Sequence, residues 1–259
     1  MFDCVIALGA SHIAGFGISN YVDDGLKYMQ GKISLEDMDA RTKPAAYPAL
    51  VANHFDIPCY NYGLSGGSND RSLRLLPQLL MQHKNSLVLF AWTSVDRSEF
   101  YIPKEGRFIG RDTDKYLQVG MQFADWKEGE HPSVLKNDFD KMDTTINNFY
   151  LNHIVNIDRT NTIICNQIFY AEQVCKNFSK DFRHIYDCQI FEDNSIPAIY
   201  KDNLEFGKVI DFNLNNDQTI NLHKGSYENF CKSHFEEVYH GHYGATAHQA
   251  VSKLIIDAL

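Results

Sequence analysis

The chain has 259 residues, of which 44% are hydrophobic and 22% charged, and it carries a formal net charge of −9. That length suffices for one large α/β domain with a sizeable core. The negative charge argues against a nucleic-acid partner held through phosphates, and no apolar run approaches the ~18 residues of a membrane span. The N-terminal "MFDCVIALGAS" has no basic segment and only a short apolar stretch, so it reads as a buried strand over Cys4–Leu8 and not as a signal peptide. Further strand-like runs are Pro58–Tyr62, Ser86–Trp92 and Thr162–Ile168, with a weaker one near His184–Ile190. They are short, rich in β-branched or aromatic residues, and bounded by Gly, Asn or Asp.

Helix-like stretches lie between and after these runs. Lys43–Phe55 puts Ala46, Leu50, Val51 and His54 at helical spacing. Asn69–His83 gathers Leu73, Leu76, Leu79 and Leu80 on one side, with Pro77 as a kink. Asn137–Ile157 carries Phe139, Met142, Ile146, Phe149, Tyr150 and Ile154, and Ala245–Leu259 is amphipathic. This alternation predicts a parallel sheet covered on both faces. The stretch Tyr101–Pro132 fits neither pattern and reads as a long loop or insertion in an otherwise single domain over 1–259. Phe191–Ser226 is also irregular. The six cysteines are scattered without a CxxC pair and read as buried reduced thiols.

In an open parallel sheet, ligand sites form beyond the carboxyl ends of the strands. The segments there are Gly9–Gly15 ("GASHIAG"), Gly63–Asn69 ("GLSGGSN") and Thr93–Glu99 ("TSVDRSE"). The loop before the last helix is Tyr239–His248 ("YHGHYGATAH"). All four are dense in Ser, Gly, Asn and His. A serine hydroxyl needs an adjacent base to act as a nucleophile, and histidine suits that task.

Taken together, these segments resemble the SGNH (GDSL-type) hydrolase superfamily, in a divergent form similar to phage-encoded members. The first family block, Gly-Asp-Ser with a Gly four residues later, is met by Gly9, Ser11 and Gly15, with Ala10 for the Asp. Asn61-Tyr62-Gly63-Leu64-Ser65-Gly66 matches the second block, and Gly67-Ser68-Asn69 resembles its phage-type continuation. Tyr47-Pro48-Ala49-Leu50-Val51-Ala52 resembles a helix of those members, with Tyr47 for Trp. Trp92–Glu99 stands at the third block but lacks its Asn. His242 and His248 keep the spacing of the fourth, with Tyr239 where the family has an Asp.

The resemblance implies a flavodoxin-like three-layer α/β/α fold with a central parallel sheet of about five strands. It implies a serine-dependent ester hydrolase acting on a carbohydrate O-acyl group or another small ester. Ser11 would be the nucleophile and His242 the base. The oxyanion would meet the amides of Ser11 and Gly66 and, as third donor, Asn69, with Thr93 or Ser94 next in line. Thr93, Ser94 and Arg97 are candidate substrate contacts, and Glu236 or Glu237 candidate orienting acids. No cofactor, no metal, no nucleic acid and no membrane span are expected, and the substrate would be a small ester or acylated glycan. The oligomeric state is not legible, and the location expected is cytoplasmic or on a virion.

Other readings stand beside these. Ser11 could cap a following helix, and Gly66–Asn69 could be a turn with Asn69 as N-cap. Arg97 and Glu99 read more readily as an ion pair shaping their loop, although Arg97 could also bind an acidic substrate group. His248 reads as a packing residue. His12, His234, His240 and His242 match no zinc-site spacing. The alternative to an enzyme is a non-catalytic SGNH-fold module, structural or glycan-binding, of a phage particle.

Overall fold

Val5–Leu8 (β1) contains no polar residue and is buried throughout, as a strand covered on both faces must be. The computed structural model describes residues 1–18, 35–64, 66–101, 116–119, 149, 150, 152, 157–188, 200, 203–205, 208–212, 225–239 and 242–259. In chain order the elements are β1, α1 (Leu35–Thr42), a 3-10 turn (Lys43–Ala45), α2 (Tyr47–His54), β2 (Cys59–Asn61), α3 (Asn69–Gln82) and β3 (Leu87–Trp92). Then come β4 (Ser98–Tyr101), β5 (Tyr116–Val119), α4 (Ile157–Phe178) and β6 (Asp181–Tyr186). The last are α5 (Tyr227–His234), β7 (Glu237–Tyr239), β8 (His242–Tyr243) and α6 (Ala245–Asp257).

The central sheet has the order β2-β1-β3-β6, with every pairing parallel. A single parallel bridge, His184 to Val209, extends it beyond β6. Where about five strands were expected, the described residues thus form four and the trace of a fifth, in the flavodoxin-like order. Because side chains alternate across a strand, the sheet divides two cores. Ile6, Leu8, Val88, Phe90 and Trp92 face Leu76, Leu80, Ile164 and Ile168 of α3 and α4. Val5, Ala7, Leu87, Leu89 and Ala91 face Val51, Cys231, Val251 and Ile255 of α2, α5 and α6. The result is three layers, α/β/α.

Thr162–Ile168 is not a strand: it lies inside the 22-residue helix α4. Its β-branched run is a local fragment of a longer helical pattern. Ile164, Cys165, Ile168, Ala171 and Cys175 are buried at spacings that place them on one stripe. The strand that follows is Asp181–Tyr186, which begins and ends earlier than the His184–Ile190 reading. The helical reading of Asn137–Ile157 lies mostly outside the described residues, although Phe149, Tyr150 and Asn152 are helical. Within Tyr101–Pro132, β5 pairs antiparallel with β4, and the rest lies outside the described residues. All six cysteines are free thiols, four of them buried, and burial pushes Cys59, Cys175, Cys188 and Cys231 up to about 12. Among the described residues, no helix is long and apolar enough to cross a membrane.

Candidate active site

β1 ends against β3 with no room for a side chain. At Gly9, which has a φ of +153°, a Cβ would stand 2.7 Å from the Cβ and carbonyl oxygen of Ala91. The chain then coils in turns, with Phe16 N donating to Ser11 O at 3.0 Å. Ser11 caps no helix: residues 11–17 are turns, and its hydroxyl is turned elsewhere. Its Oγ lies 2.7 Å from His242 Nε2, across 231 residues of sequence. Ser11 is 7% exposed and His242 half-buried. The His242 ring is held by Phe16, with centroids 4.6 Å apart, and by His12, at 4.9 Å.

The loop after β2 is sewn to the loop of Ser11. Asn61 Nδ2 donates to Ile13 O at 2.7 Å, its Oδ1 accepts from Gly63 N at 2.9 Å, and Leu64 N donates to Gly9 O at 3.1 Å. Gly66 sits in the turn that follows, at φ +75°, and Ser65 lies outside the described residues. The N-cap of α3 is Ser68, whose Oγ accepts from Arg71 N, and not Asn69. Asn69 instead forms a reciprocal pair with the backbone at the end of β3. Its Nδ2 donates to Thr93 O at 3.1 Å, and its Oδ1 accepts from Thr93 N at 3.0 Å. One amide hydrogen of Asn69 and the hydroxyl of Thr93 are not used in that pair.

The loop after β3 is braced by α3. Arg74 holds Glu99 in a two-pronged ion pair, Nε to Oε1 at 2.7 Å and Nη2 to Oε2 at 3.1 Å. Glu99 therefore pairs with Arg74 and not with Arg97: a partner one turn into α3 is in reach, and strand β4 carries Glu99 toward it. Asp70 adds hydrogen bonds from Ser98 and Gln167. Ser94 donates to Asp96. Arg97 Nε is buried and has no hydrogen-bond partner among the described residues.

A cleft of about 330 Å³ opens beside Ser11, lined by His12, Thr93, Ser94, Arg97 and Asp187 among others. Thr93, Ser94 and Arg97 thus share a wall with the nucleophile candidate. A larger hollow, about 550 Å³, lies against the edge strand β2 at Cys59 and Tyr60. It holds none of the candidate residues, and its one thiol is pushed out of the nucleophilic range by burial. Asp187 is the residue that reading the sequence missed. It is the first residue after β6, 2% exposed, with Oδ2 3.7 Å from His12 Nδ1. Its place at a sheet strand's carboxyl end was the available signal, concealed by running the strand on to Ile190.

Glu236 is exposed, and the structure describes only the backbone of Glu237. In the β7–β8 hairpin, Tyr239 is the register partner of His242. His240 lies outside the described residues, and His234 bonds back to Phe230 O at 2.9 Å. His248 is fully buried, accepts at Nδ1 from Tyr47 N at 3.2 Å and stacks on the Tyr47 ring. Burial drives its pKa down to about 3, with a smaller push from His12. Among the described residues, no group of three His, Cys, Asp or Glu side chains could hold a metal ion.

No protein-family model matches the chain, and neither does any curated protein. Among solved structures it is similar to a carbohydrate esterase whose active site displays divergent catalytic and non-catalytic binding functions. The identity there is 11%, over 98% of this chain and 67% of that one, at a TM-score of 0.42. It is also similar to a lipolytic protein of the G-D-S-L family from Desulfitobacterium hafniense DCB-2. That match has 10% identity over 99% of each chain, at a TM-score of 0.41.

Proposed function

We propose that the chain is a serine-dependent ester hydrolase with Ser11 as nucleophile and His242 as base. The observation that carries this is the 2.7 Å approach of Ser11 Oγ to His242 Nε2. Nothing in local sequence brings these two together. A hydroxyl within that distance of a neutral imidazole can give up its proton as it attacks.

The scheme follows from the residues. Ser11 Oγ attacks the carbonyl carbon of an ester in the cleft, and its proton passes to His242 Nε2. The oxyanion meets the backbone amides of Ser11 and Gly66, each worth roughly 3 kcal/mol if aimed at it. His242 then gives its proton to the leaving alcohol, and an acyl group remains on Ser11. Water, deprotonated by His242, releases the acid. A third oxyanion donor would come from the Asn69 amide hydrogen not used on Thr93, or from the Thr93 hydroxyl. Ser94 is the weaker candidate, since its hydroxyl is engaged by Asp96.

The cleft favours a small, polar ester, because its wall combines Thr93, Ser94, Arg97 and Glu228 beside Ser11. An O-acyl group on a carbohydrate, presenting several hydroxyls, meets those donors and acceptors. Arg97 contributes a guanidinium whose buried Nε makes no hydrogen bond among the described residues.

The test is covalent. Wild-type protein should react with a fluorophosphonate and hydrolyse p-nitrophenyl acetate, and Ser11→Ala should do neither. Labelling that survives Ser11→Ala would show that another residue is the nucleophile. A wild type that is neither labelled nor active would leave a glycan-binding scaffold as the better reading.

A further inference from the structure

Asp187 is fixed in place and unused by the scheme above. Its backbone is clamped on both sides: its N–H donates to Trp92 O at 2.9 Å, and its carbonyl accepts from Glu228 N at 3.1 Å. Its side chain is 3% exposed, and neither carboxylate oxygen receives a hydrogen bond among the described residues. A buried carboxylate in that state is costly and needs a charged or ionisable neighbour to offset it.

An ionisable ring stands beside it: His12 Nδ1 lies 3.7 Å from Asp187 Oδ2. The His12 ring in turn lies 4.9 Å, centroid to centroid, from the His242 ring. Other titratable groups pack around Asp187. Tyr47 of α2 and Tyr227 and Cys231 of α5 all have their ionisation pushed up by burial and by the Asp187 charge. Arg97 and Glu228 line the same cleft as Asp187 and are opposite in sign to one another. His248 of α6 is held neutral by burial, with a smaller electrostatic push from His12.

We propose that Asp187 is the positioning carboxylate of this site, acting through His12 to stabilise the imidazolium that forms on His242. The proposal rests on the Ser11–His242 reading. Where the His242 loop has Tyr239, the chain takes its carboxylate from the end of β6. When Ser11 transfers its proton, positive charge appears on His242 one ring away from a buried negative charge. A charge so placed is weakly screened. His12, with Nδ1 3.7 Å from the carboxylate, fills the gap between acid and base.

The experiment is an NMR titration of the His242 imidazole in the full chain, assigned with His242→Gln. A carboxylate that favours the imidazolium raises the pKa of His242, so its removal must lower it. In Asp187→Asn the protonation constant of His242 should fall about tenfold or more. Asp187→Glu, which keeps the charge, should restore most of it. His12→Gln, which leaves the carboxylate but removes the ring between, should give an intermediate value, and it serves if Asp187→Asn does not fold. With p-nitrophenyl acetate, Asp187→Asn should lower kcat at least tenfold with KM little changed. The acid limb of kcat/KM should move to lower pH. A folded Asp187→Asn with an unchanged His242 titration overturns the proposal, whatever happens to its thermal midpoint. The titration needs no turnover. Wild type that shows the Asp187-dependent shift but no Ser11 labelling would therefore sink the hydrolase reading while supporting the Asp187–His242 coupling.

Discussion

Gly17 and His242 are packed without space between them: a Cβ at residue 17 would stand 2.7 Å from both the Cβ and the carbonyl carbon of His242. Gly17 also has a φ of +108°, a region that other residues rarely adopt. The position of the base is therefore set from the loop that carries Ser11, six residues after it. Gly17→Ala should push the imidazole off Ser11 Oγ. A displacement of about 1 Å at a reacting centre costs on the order of 10²-fold in rate. We expect labelling of Ser11 to slow by that order while far-UV circular dichroism stays native. Wild-type labelling kinetics in Gly17→Ala would show that the 11–17 turn does not locate His242.

Asn69 offers a second separation of roles. Both ends of its amide are spent on Thr93, so Asn69→Ala leaves a buried N–H and a buried C=O unpaired. Each is expected to cost about 1–3 kcal/mol, read by urea denaturation. The loss of turnover per folded molecule should stay below the order of 10² seen when an oxyanion donor is removed. A rate loss of 10²–10³ with little destabilisation would instead assign the side chain to the oxyanion.

How much of this was legible in the sequence depended on whether a local pattern and the tertiary environment agreed. Cys4–Leu8 and Ser86–Trp92 were readable because a strand buried on both faces is apolar along its length, whereas Pro58–Tyr62, which holds the half-exposed edge strand β2, was marked by a short run with aromatic residues ending at Gly63. Thr162–Ile168 has the same local composition, but its burial follows a stripe extending on to Cys175, and a short window does not contain that stripe. The approach of Ser11 and His242 was expected because Ser11 follows the first strand, His242 lies in the stretch before the last helix, and a serine needs a base such as histidine to act as a nucleophile. The partnership of Glu99 with Arg74 was not, since Arg97 is nearer in sequence and only the packing of β4 on α3 decides between them. Asp187 is the clearest case. One aspartate among 33 acidic residues is marked in the sequence only by its place at the end of a strand, which running that strand on to Ile190 concealed. Its meaning comes from its burial, its lack of hydrogen-bond partners and its distance to His12.

His248 makes stability depend on pH. Its folded pKa lies near 3, below the value of about 6.5 it has when unfolded. Above pH 6.5 it is neutral in both states and contributes no slope. As pH falls below 6.5, the unfolded chain takes up a proton that the folded chain refuses, so stability is lost steadily down to about pH 3. His248→Asn keeps an acceptor for Tyr47 N and removes the titration. Its denaturation midpoint should therefore vary less between pH 6.5 and pH 4 than that of wild type. An identical pH dependence in both proteins would show that other groups set the acid limit.

The hairpin of the base allows a direct check on where the acid comes from. Tyr239 is the register partner of His242 across β7 and β8. Partners in an antiparallel pair carry their Cβ atoms about 4.5–5.5 Å apart, so a carboxylate introduced at residue 239 starts within reach of the imidazole. If Asp187 supplies the charge through His12, Tyr239→Asp in the wild-type background should add little, because the imidazolium is already stabilised. In the Asp187→Asn background the same substitution should recover a large part of the lost rate and raise the His242 pKa again. The two changes would then be strongly non-additive, as expected for groups that serve one function. Glu236 and Glu237 give the opposite pattern if either reaches the imidazole. Glu236→Gln or Glu237→Gln would then cause a loss approaching the roughly 10⁴-fold of a removed triad acid, and Asp187→Asn would leave the rate unchanged. We expect the first pattern, because Glu236 is exposed to solvent, where its charge is screened, whereas Asp187 is buried one ring from the base.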